Sequence, residues 1–552
     1  MTDDTRAVSA TGLLATFNAA GALTWSDVHP AQQWGYLFGE ADPRVLLAAA
    51  LTVRALRLGS ICLPLDRLRE LDQWEDAVEL DPSWWPEQTA WEEALRRSPA
   101  VTLGSQGAPA RPLRLVDGAL YLERHYADQE VVRREMLARL TTAPSGGTPQ
   151  GQQDAVELAV TSPVTVIAGG PGTGKTWTIR AVMARIRAER PDALVALAAP
   201  TGKAAARMTE SLGDPAARAV TLHALLGWRR GSRTRFAHDA TRPLPHDVVI
   251  IDEMSMVSMA LMARLLEALK PGARLVLVGD PDQLSSVDAG SVLADITSAP
   301  ASAGIVARLS HNFRFQGAIA TLANAIRTGD ADLALTTLSG GESGVRLADG
   351  EDGLTAARAQ VVAAGRRVAE AVAAADPAAA LEALDTHRLL CGHRTGPFGV
   401  AQWSRHAVAW LSAEVPGFVA DGDAYPGRPV MMTVNRPELG LYNGDTGVVL
   451  STGEAPQAWF GVAGRPRPFS PYVLDGLTSV HAMTVHKAQG SQFRHVSVIL
   501  PPAGSPLLTR ELLYTAVSRA RESVLLLGDE AAVAQAIARP ARRMSGLAAR
   551  LG

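Results

Sequence analysis

The stretch Ala168-Gly-Gly-Pro-Gly-Thr-Gly-Lys-Thr176 constrains this chain more than any other feature. It follows the apolar run Val164-Thr-Val-Ile167 and opens a helix-like segment from Trp177 to Arg187. Read from Gly169, it fits G-x-x-x-x-G-K-[ST] between a strand and a helix, the context in which that pattern holds phosphate. Glycines let successive backbone N–H groups close round phosphate oxygens, and the helix N-terminus adds its dipole. Gly169, Gly170, Pro171, Gly172, Thr173, Gly174 and Trp177 are therefore expected around a nucleotide. Lys175 is expected to neutralise the β- and γ-phosphates of ATP, and the Thr176 hydroxyl to ligate Mg²⁺. A glycine-rich turn without a ligand is the bland alternative, and the full pattern in this setting argues against it.

At roughly 150 residues per domain, a chain of 552 residues suggests about three or four domains. With 47% apolar and 20% charged residues it can bury sizeable cores. Charged residues interrupt every apolar run before it reaches the ~18 residues of a membrane span. Met1 to Arg6 lacks the basic-then-apolar pattern of a signal peptide. Cys62 and Cys391 are the only cysteines, too few for a disulfide framework or a cysteine-rich metal site. A cytoplasmic protein without a membrane partner is expected. The net charge of −3 carries no global nucleic-acid signature, although a local groove can be basic on a neutral protein. Among 53 Lys+Arg only four are lysines, Lys175, Lys203, Lys270 and Lys487. Three of them lie in the motifs argued here, where a compact ammonium fits a cavity that a guanidinium fork does not.

Residues 1–110 carry no catalytic pattern. Asp42-Pro43 reads as the cap and first residue of a helix running to about Leu58 and ended by Gly59, with a short strand at Ile61 to Leu65. Trp74, Trp84, Trp85 and Trp91 sit in an acidic stretch, a composition that suits either a partner interface or the core of a small helical domain. A helix from Glu123 to Leu140 then leads to the linker Thr142 to Pro149.

After the phosphate loop, strands alternate with helices, which implies an α/β parallel sheet with its chemistry at the strand C-terminal ends. Leu194–Ala199 ends in Pro200-Thr-Gly-Lys203, Asp247–Ile251 in Asp252-Glu253, and Leu275–Val278 in Gly279-Asp-Pro-Asp-Gln283. Two acids after an apolar strand are expected to divide the work. Asp252 would hold Mg²⁺ through its water shell, and Glu253 would orient and deprotonate the attacking water. Gln283 suits a hydrogen bond to the γ-phosphate or that water, or else caps its loop. The loop Trp228 to Phe236 interleaves basic and aromatic residues, which fits either a single strand of nucleic acid or an exposed hairpin. Residues 351–388 read as Ala-rich helices broken at Asp376-Pro377, and a second βα series begins near Leu389. Between about Gly427 and Val473, short alternating runs and the turn Leu441 to Gly447 suggest a small all-β barrel inserted into that series.

Six segments occur in order: Gly169 to Thr176, Asp252-Glu253-Met-Ser-Met, Gly279-Asp-Pro-Asp-Gln283, Asn312-Phe-Arg-Phe315, Thr484-Val-His-Lys-Ala-Gln-Gly490 and Tyr514-Thr-Ala-Val-Ser-Arg519. The series resembles superfamily 1 helicases, and the forms of its third and fifth segments resemble the RecD branch, which moves 5′→3′. Residues 47–54 and 61–65 are similar to the RecD N-terminal domain. The resemblance implies two RecA-like parallel-sheet domains forming a helicase core, with a mostly helical N-terminal domain and a small SH3-like β-barrel insertion. It implies domains at 1–110 (partner-binding), 111–149 (helical linker), 150–335 (first RecA-like domain, with a small insertion about 228–246) and 336–552 (second RecA-like domain, with the barrel at 427–475). By motif match, Gln152 would contact adenine, Arg314 and Arg519 would reach the γ-phosphate, and Gly490 and Gln492 would lie near the ribose. Pro200, Thr201, His223, Thr484 and His486 match positions lining the DNA track. Ser518 stands where Thr is common before the motif arginine and retains the hydroxyl.

A metal-dependent nuclease pattern needs an acid two residues before a lysine. Those positions are Thr173, Thr201, Ala268 and Val485, so no nuclease site is expected. The resemblance thus implies an ATP- and Mg²⁺-dependent helicase acting on DNA ends beside RecB-like and RecC-like subunits, with RecC met through the N-terminal domain. A stand-alone RecD-like helicase and a nucleotide-gated DNA-binding subunit are the alternatives.

Overall fold

The structure is a computed structural model that describes residues 6–68, 80–107, 110–141, 149–214, 217–229, 235–311, 317–341, 343–451, 455–462, 464–541 and 543–552. Its centre is a six-stranded sheet in the order Val306–Leu309, Val164–Gly169, Arg274–Gly279, Val248–Ile251, Val195–Ala199, Val220–Thr221, every pair parallel. Both faces are buried, which is why these strands read as unbroken apolar runs. Ile167, Leu197, Ile250 and Val276 face a layer built from helices Gly151–Thr161, Lys175–Glu189 and Gly202–Leu212. Val164, Val166, Val249 and Leu275 face the other layer, where helix Met259–Ala268 supplies Met262, Leu265 and Leu266.

That second layer departs from expectation. Helix Glu123–Leu140 matches its expected span, yet it is no linker: Val132 and Met136 are buried in the same core, and Asp128 pairs with Arg264 at 2.8 Å. The expected helical stretch 111–149 also begins with two strands, Leu113–Val116 and Ala119–Leu122. They join Cys62–Pro64 and Val101–Leu103 in a four-stranded sheet, so the N-terminal unit continues past residue 110. Its helices are Gly12–Ala19, Trp25–Phe38, Pro43–Arg57 and Gln88–Arg97. Asp42 caps the third, accepting from the Arg44 N–H at 2.9 Å. Trp85 and Trp91 are buried, Trp85 edge-on to Phe17 with centroids 4.9 Å apart, and Trp91 Nε1 donates to the Arg44 carbonyl at 2.7 Å. These tryptophans are core. Trp74 lies outside the described residues.

The second parallel sheet runs Val345–Ala348, Ala520–Leu527, Phe493–Ile499, His387–Cys391, Ala482–Thr484. The Ala-rich segment is two helices, Gly350–Ala373 and Pro377–Leu384, the second capped by Asp376. Between His387–Cys391 and Ala482–Thr484 the chain makes an antiparallel five-stranded sheet in the order Arg465–Phe469, Gln457–Val462, Thr446–Leu450, Pro429–Met432, Leu477–Ser479. It encloses its own core of Val430, Met432, Val449 and Phe460.

After helix Glu530–Ala538 the chain leaves the second sheet and returns to the first. The Ile61 N–H donates to the Met544 carbonyl at 2.6 Å, and Ser545 Oγ donates to Asp295 Oδ2 at 2.7 Å. Leu547 and Leu551 enter the core of the first sheet, and Arg550 Nη2 meets Glu130 Oε2 at 2.6 Å. This tail stitches the N-terminal unit, helix Glu123–Leu140 and the first parallel sheet together.

Candidate functional site: the cleft between the two sheets

The phosphate loop leaves Val164–Gly169 and enters helix Lys175–Glu189. Gly172 (φ 84°) and Gly174 (φ 86°) hold left-handed conformations that a side chain would strain. Thr173 Oγ1 donates to the Gly170 carbonyl at 2.8 Å, closing the loop on itself. Lys175 Nζ donates to the carbonyls of Gly169 at 2.7 Å and Gly170 at 2.9 Å. Gln152 lies against the same loop, Nε2 donating to the Thr173 carbonyl at 3.3 Å. Thr176 is half-buried beside it, as is Pro171, while Trp177 is exposed on the rim.

Asp252 and Glu253 follow strand Val248–Ile251 directly. Burial first, then the neighbouring Glu253 carboxylate, push the Asp252 pKa up to about 6 against the pull of Lys175. Glu253 is a non-glycine residue at φ 54°, a strained conformation of the kind that concentrates at functional sites. One strand away, Asp280 ends Arg274–Gly279 and is buried. Gln283 was expected here, and it donates Nε2 to Asp280 Oδ2 at 2.8 Å. Asp280 belongs to the Gly279 to Gln283 segment, where an apolar strand ending in Gly-Asp is the signal that marks it. Burial raises its pKa, while Lys175 and hydrogen bonds from Gln283, the Asp282 backbone and Tyr514 oppose the rise.

The second domain closes the far side. Helix Arg510–Val517 directs Tyr514 Oη onto Asp280 Oδ2 at 3.1 Å and Thr515 Oγ1 onto the Leu284 N–H at 2.9 Å. Gln489 Nε2 donates to the Leu284 carbonyl at 2.7 Å. Arg519, one turn on, is buried, its guanidinium fixed by Thr515 O (3.0 Å), Ser491 O (3.3 Å) and Ser518 Oγ (2.9 Å). Burial lowers its pKa, while the Glu253 and Asp280 carboxylates across the cleft favour the cation. Ser518 thus keeps the role its hydroxyl allows. Gly490 (φ 70°) and Gln492 flank Ser491 and are half-buried. Arg314 lies outside the described residues.

The residues expected to meet DNA are more scattered in character. Pro200 precedes Thr201, whose Oγ1 caps helix Gly202–Leu212 by accepting from the Ala204 N–H at 3.2 Å. His223 is exposed, with its ring 5.9 Å from that of Phe236. Trp228 pairs with Phe236 in an antiparallel bridge, which is hairpin geometry, and residues 230–234 lie outside the described residues. Thr484 is buried and accepts from the Lys487 N–H at 3.3 Å, so it is a local cap rather than an open contact. His486 is half-buried, its pKa lowered by burial and by Arg543. Lys203 acts between the domains. Its Nζ donates to the Gly444 carbonyl at 3.0 Å, docking the turn of the inserted sheet onto the first domain, and burial lowers its pKa to about 8.

Three family models match: an AAA domain over residues 152–289, the N-terminal domain of RecBCD enzyme subunit RecD over 19–121, and a UvrD-like helicase C-terminal domain over 479–527. The RecBCD enzyme subunit RecD of Mycobacterium tuberculosis is 44% identical over 582 aligned positions, covering 100% of this chain and 99% of that protein. The chain belongs to the RecD family.

The match to the RecD N-terminal model ends at residue 121, within a residue of where the small sheet ends. The ATP-dependent RecD2 DNA helicase of Deinococcus radiodurans is 31% identical, covering 90% of this chain and 67% of that one. A crystal structure of Pif1 helicase from Candida albicans aligns with 69% of this chain and 95% of its own, at 19% identity and a TM-score of 0.43. This RecD-family chain is an ATP-hydrolysing DNA helicase.

Proposed function

We propose that the chain is the 5′→3′ motor of a RecBCD-type complex that unwinds and processes double-strand DNA ends in recombinational repair, working in the cytoplasm. One observation supports the motor most directly. Across the cleft from the phosphate loop's domain, Tyr514 Oη meets the strand-end Asp280 at 3.1 Å, Thr515 accepts from the Leu284 N–H at 2.9 Å, and the buried Arg519 feels the Glu253 and Asp280 carboxylates. A triphosphate in this cleft is held from both sides, so hydrolysis removes the charge that favours closure. Each cycle then shifts the two domains along one strand.

In this reading Lys175 leaves its own loop carbonyls for the β- and γ-phosphates. Glu253 accepts the proton of the attacking water, and Gln283 orients it. Arg519, together with Arg314, neutralises charge that develops on the γ-phosphate. Mg²⁺ supplies further neutralisation when bound. The half-buried Asp252 carboxylate and Thr176 hydroxyl would hold the ion, which suits a cation that takes one or two protein oxygens. Gln152, whose Nε2 donates to the Thr173 carbonyl of the phosphate loop, contacts the adenine. DNA is held through phosphates and stacking along Pro200, Thr201, His223 and His486, so affinity is salt-sensitive and nearly independent of sequence.

Partnership with RecB-like and RecC-like subunits rests on the RecBCD relative, which covers the whole chain. The RecD2 DNA helicase relative is less similar and is covered over 67% of its length. Among the described residues no helix is long and apolar enough to cross a membrane. The test compares unwinding of duplexes with 5′ and 3′ tails, by the chain alone and with candidate RecB and RecC proteins. Unwinding from 5′ tails, enhanced in the trio, is expected. Preference for 3′ tails would refute the assigned direction, and full activity with no association would favour the stand-alone reading.

A further inference from the structure

We propose that Tyr514 is a positioning residue for ATP hydrolysis: through Asp280 it orients Gln283, so the second domain's place across the cleft decides whether the water-orienting amide is aligned. The inference rests on the helicase reading and adds to it a residue and a route.

Asp280 is 1% exposed and has three donors. Its Oδ1 accepts from the Asp282 N–H at 3.2 Å, and its Oδ2 accepts from both Gln283 Nε2 at 2.8 Å and Tyr514 Oη at 3.1 Å. Two donors sharing one oxygen compete for it, so a shift in the phenol alters the bond to the amide. An acceptor at Asp280 fixes which end of the Gln283 amide faces it. The N–H₂ end is held, which leaves the carbonyl oxygen as the end directed away from Asp280. That carbonyl oxygen can accept an O–H from the attacking water and so aim the water's lone pair at the γ-phosphate.

The phenol arrives from the other domain. Tyr514 lies on helix Arg510–Val517, which also fixes Arg519 through Thr515 O, so the two reach the cleft as one unit. Its oxygen sits 2.8 Å from where a Cβ on Gly170 would stand. Gly170 is absent from the left-handed glycines, so it is needed for room rather than for backbone freedom. The phenol therefore rests in a niche of the phosphate loop itself, whose Gly170 carbonyl also receives Lys175. Movement of that loop or of the second domain is transmitted to Asp280, then to Gln283.

The competing explanation is that a buried tyrosine hydroxyl simply needs a partner. The two differ in what they affect. A structural hydroxyl changes stability, whereas a positioning one changes kcat with little effect on the KM for ATP.

The experiment measures single-strand-stimulated ATPase of the full-length chain as wild type, Tyr514→Phe, Gln283→Ala and the double variant, with thermal melts alongside. Tyr514→Phe is expected to fold, to lose about tenfold or more in kcat, and to keep KM for ATP within about threefold. The double variant is expected to be no slower than Gln283→Ala, since both act through one chain of contacts. A Tyr514→Phe protein with wild-type kcat, or a double variant whose loss is the product of the single losses, overturns the proposal. If Tyr514→Phe does not fold, Asp280→Asn takes its place in the same cycle with the same expected results. A wild-type chain without ATPase would instead overturn the helicase reading, so the two failures are distinguishable.

Discussion

Glu253 donates its backbone N–H to Oδ1 of Asp252 at 2.8 Å from a left-handed conformation, φ 54° and ψ 42°. A bulky residue in that conformation costs on the order of 1–3 kcal/mol, and the surrounding packing must hold it there. The turn sets two carboxylates side by side, Asp252 under the influence of Lys175 and Glu253 under that of Arg519 across the cleft. Glu253→Gln should therefore retain nucleotide binding and lose about 10²-fold or more in turnover. Glu253→Gly should lose turnover equally without loss of stability to urea, because glycine adopts this conformation freely. Wild-type phosphate release by either variant would contradict the assignment.

Asp252 carries a cost that its role explains. Its pKa is raised from 3.8 to about 6 in the folded chain, so the folded state binds the proton more tightly than the unfolded state. Folding is favoured at low pH, and that contribution is lost as pH rises from about 4 through about 6. Asp252→Asn should thus stabilise the nucleotide-free protein at pH 7 by about 1–3 kcal/mol and flatten the pH dependence between 4 and 7, while abolishing ATPase. Chemical denaturation across that range checks it. A destabilised Asp252→Asn variant would show that the carboxylate is well paired rather than strained by burial.

The C-terminal tail makes a separate claim. Leu547 is fully buried in the core of the first sheet, although it follows the second domain in sequence. Leu547→Ala should cost about 2–5 kcal/mol, and its unfolding should be seen by probes in the N-terminal unit and the first sheet together. Fluorescence of the buried Trp85 and Trp91 reports the former. Loss confined to the second domain would place the tail elsewhere.

Much of this architecture was legible because parallel strands buried on both faces leave unbroken apolar runs. Val164–Gly169, Val248–Ile251 and Arg274–Gly279 stand out that way, and their polar ends follow at once. Of the N-terminal sheet only the strand Cys62–Pro64 was legible, because its strands are three or four residues long and Cys62 pairs with Tyr121, far away in sequence. The helix Glu123–Leu140 was legible as a helix, but nothing local says which core receives Val132 and Met136. The four tryptophans suited two settings equally until Phe17 and Arg44 were seen beside Trp85 and Trp91. The pairing of Asp280 with Tyr514 escaped for a related reason. A strand ending in Gly-Asp marks Asp280 but nothing local marks Tyr514, and they become a pair only when two domains face one another.

The central claim is that a triphosphate is gripped from both domains, and Arg519→Ala tests it most directly, with fluorescent-ATP affinity and DNA-stimulated phosphate release measured on the same preparation. Affinity is expected to stay within about tenfold while turnover falls by about 10³-fold or more. Wild-type turnover with Arg519 removed would contradict the account.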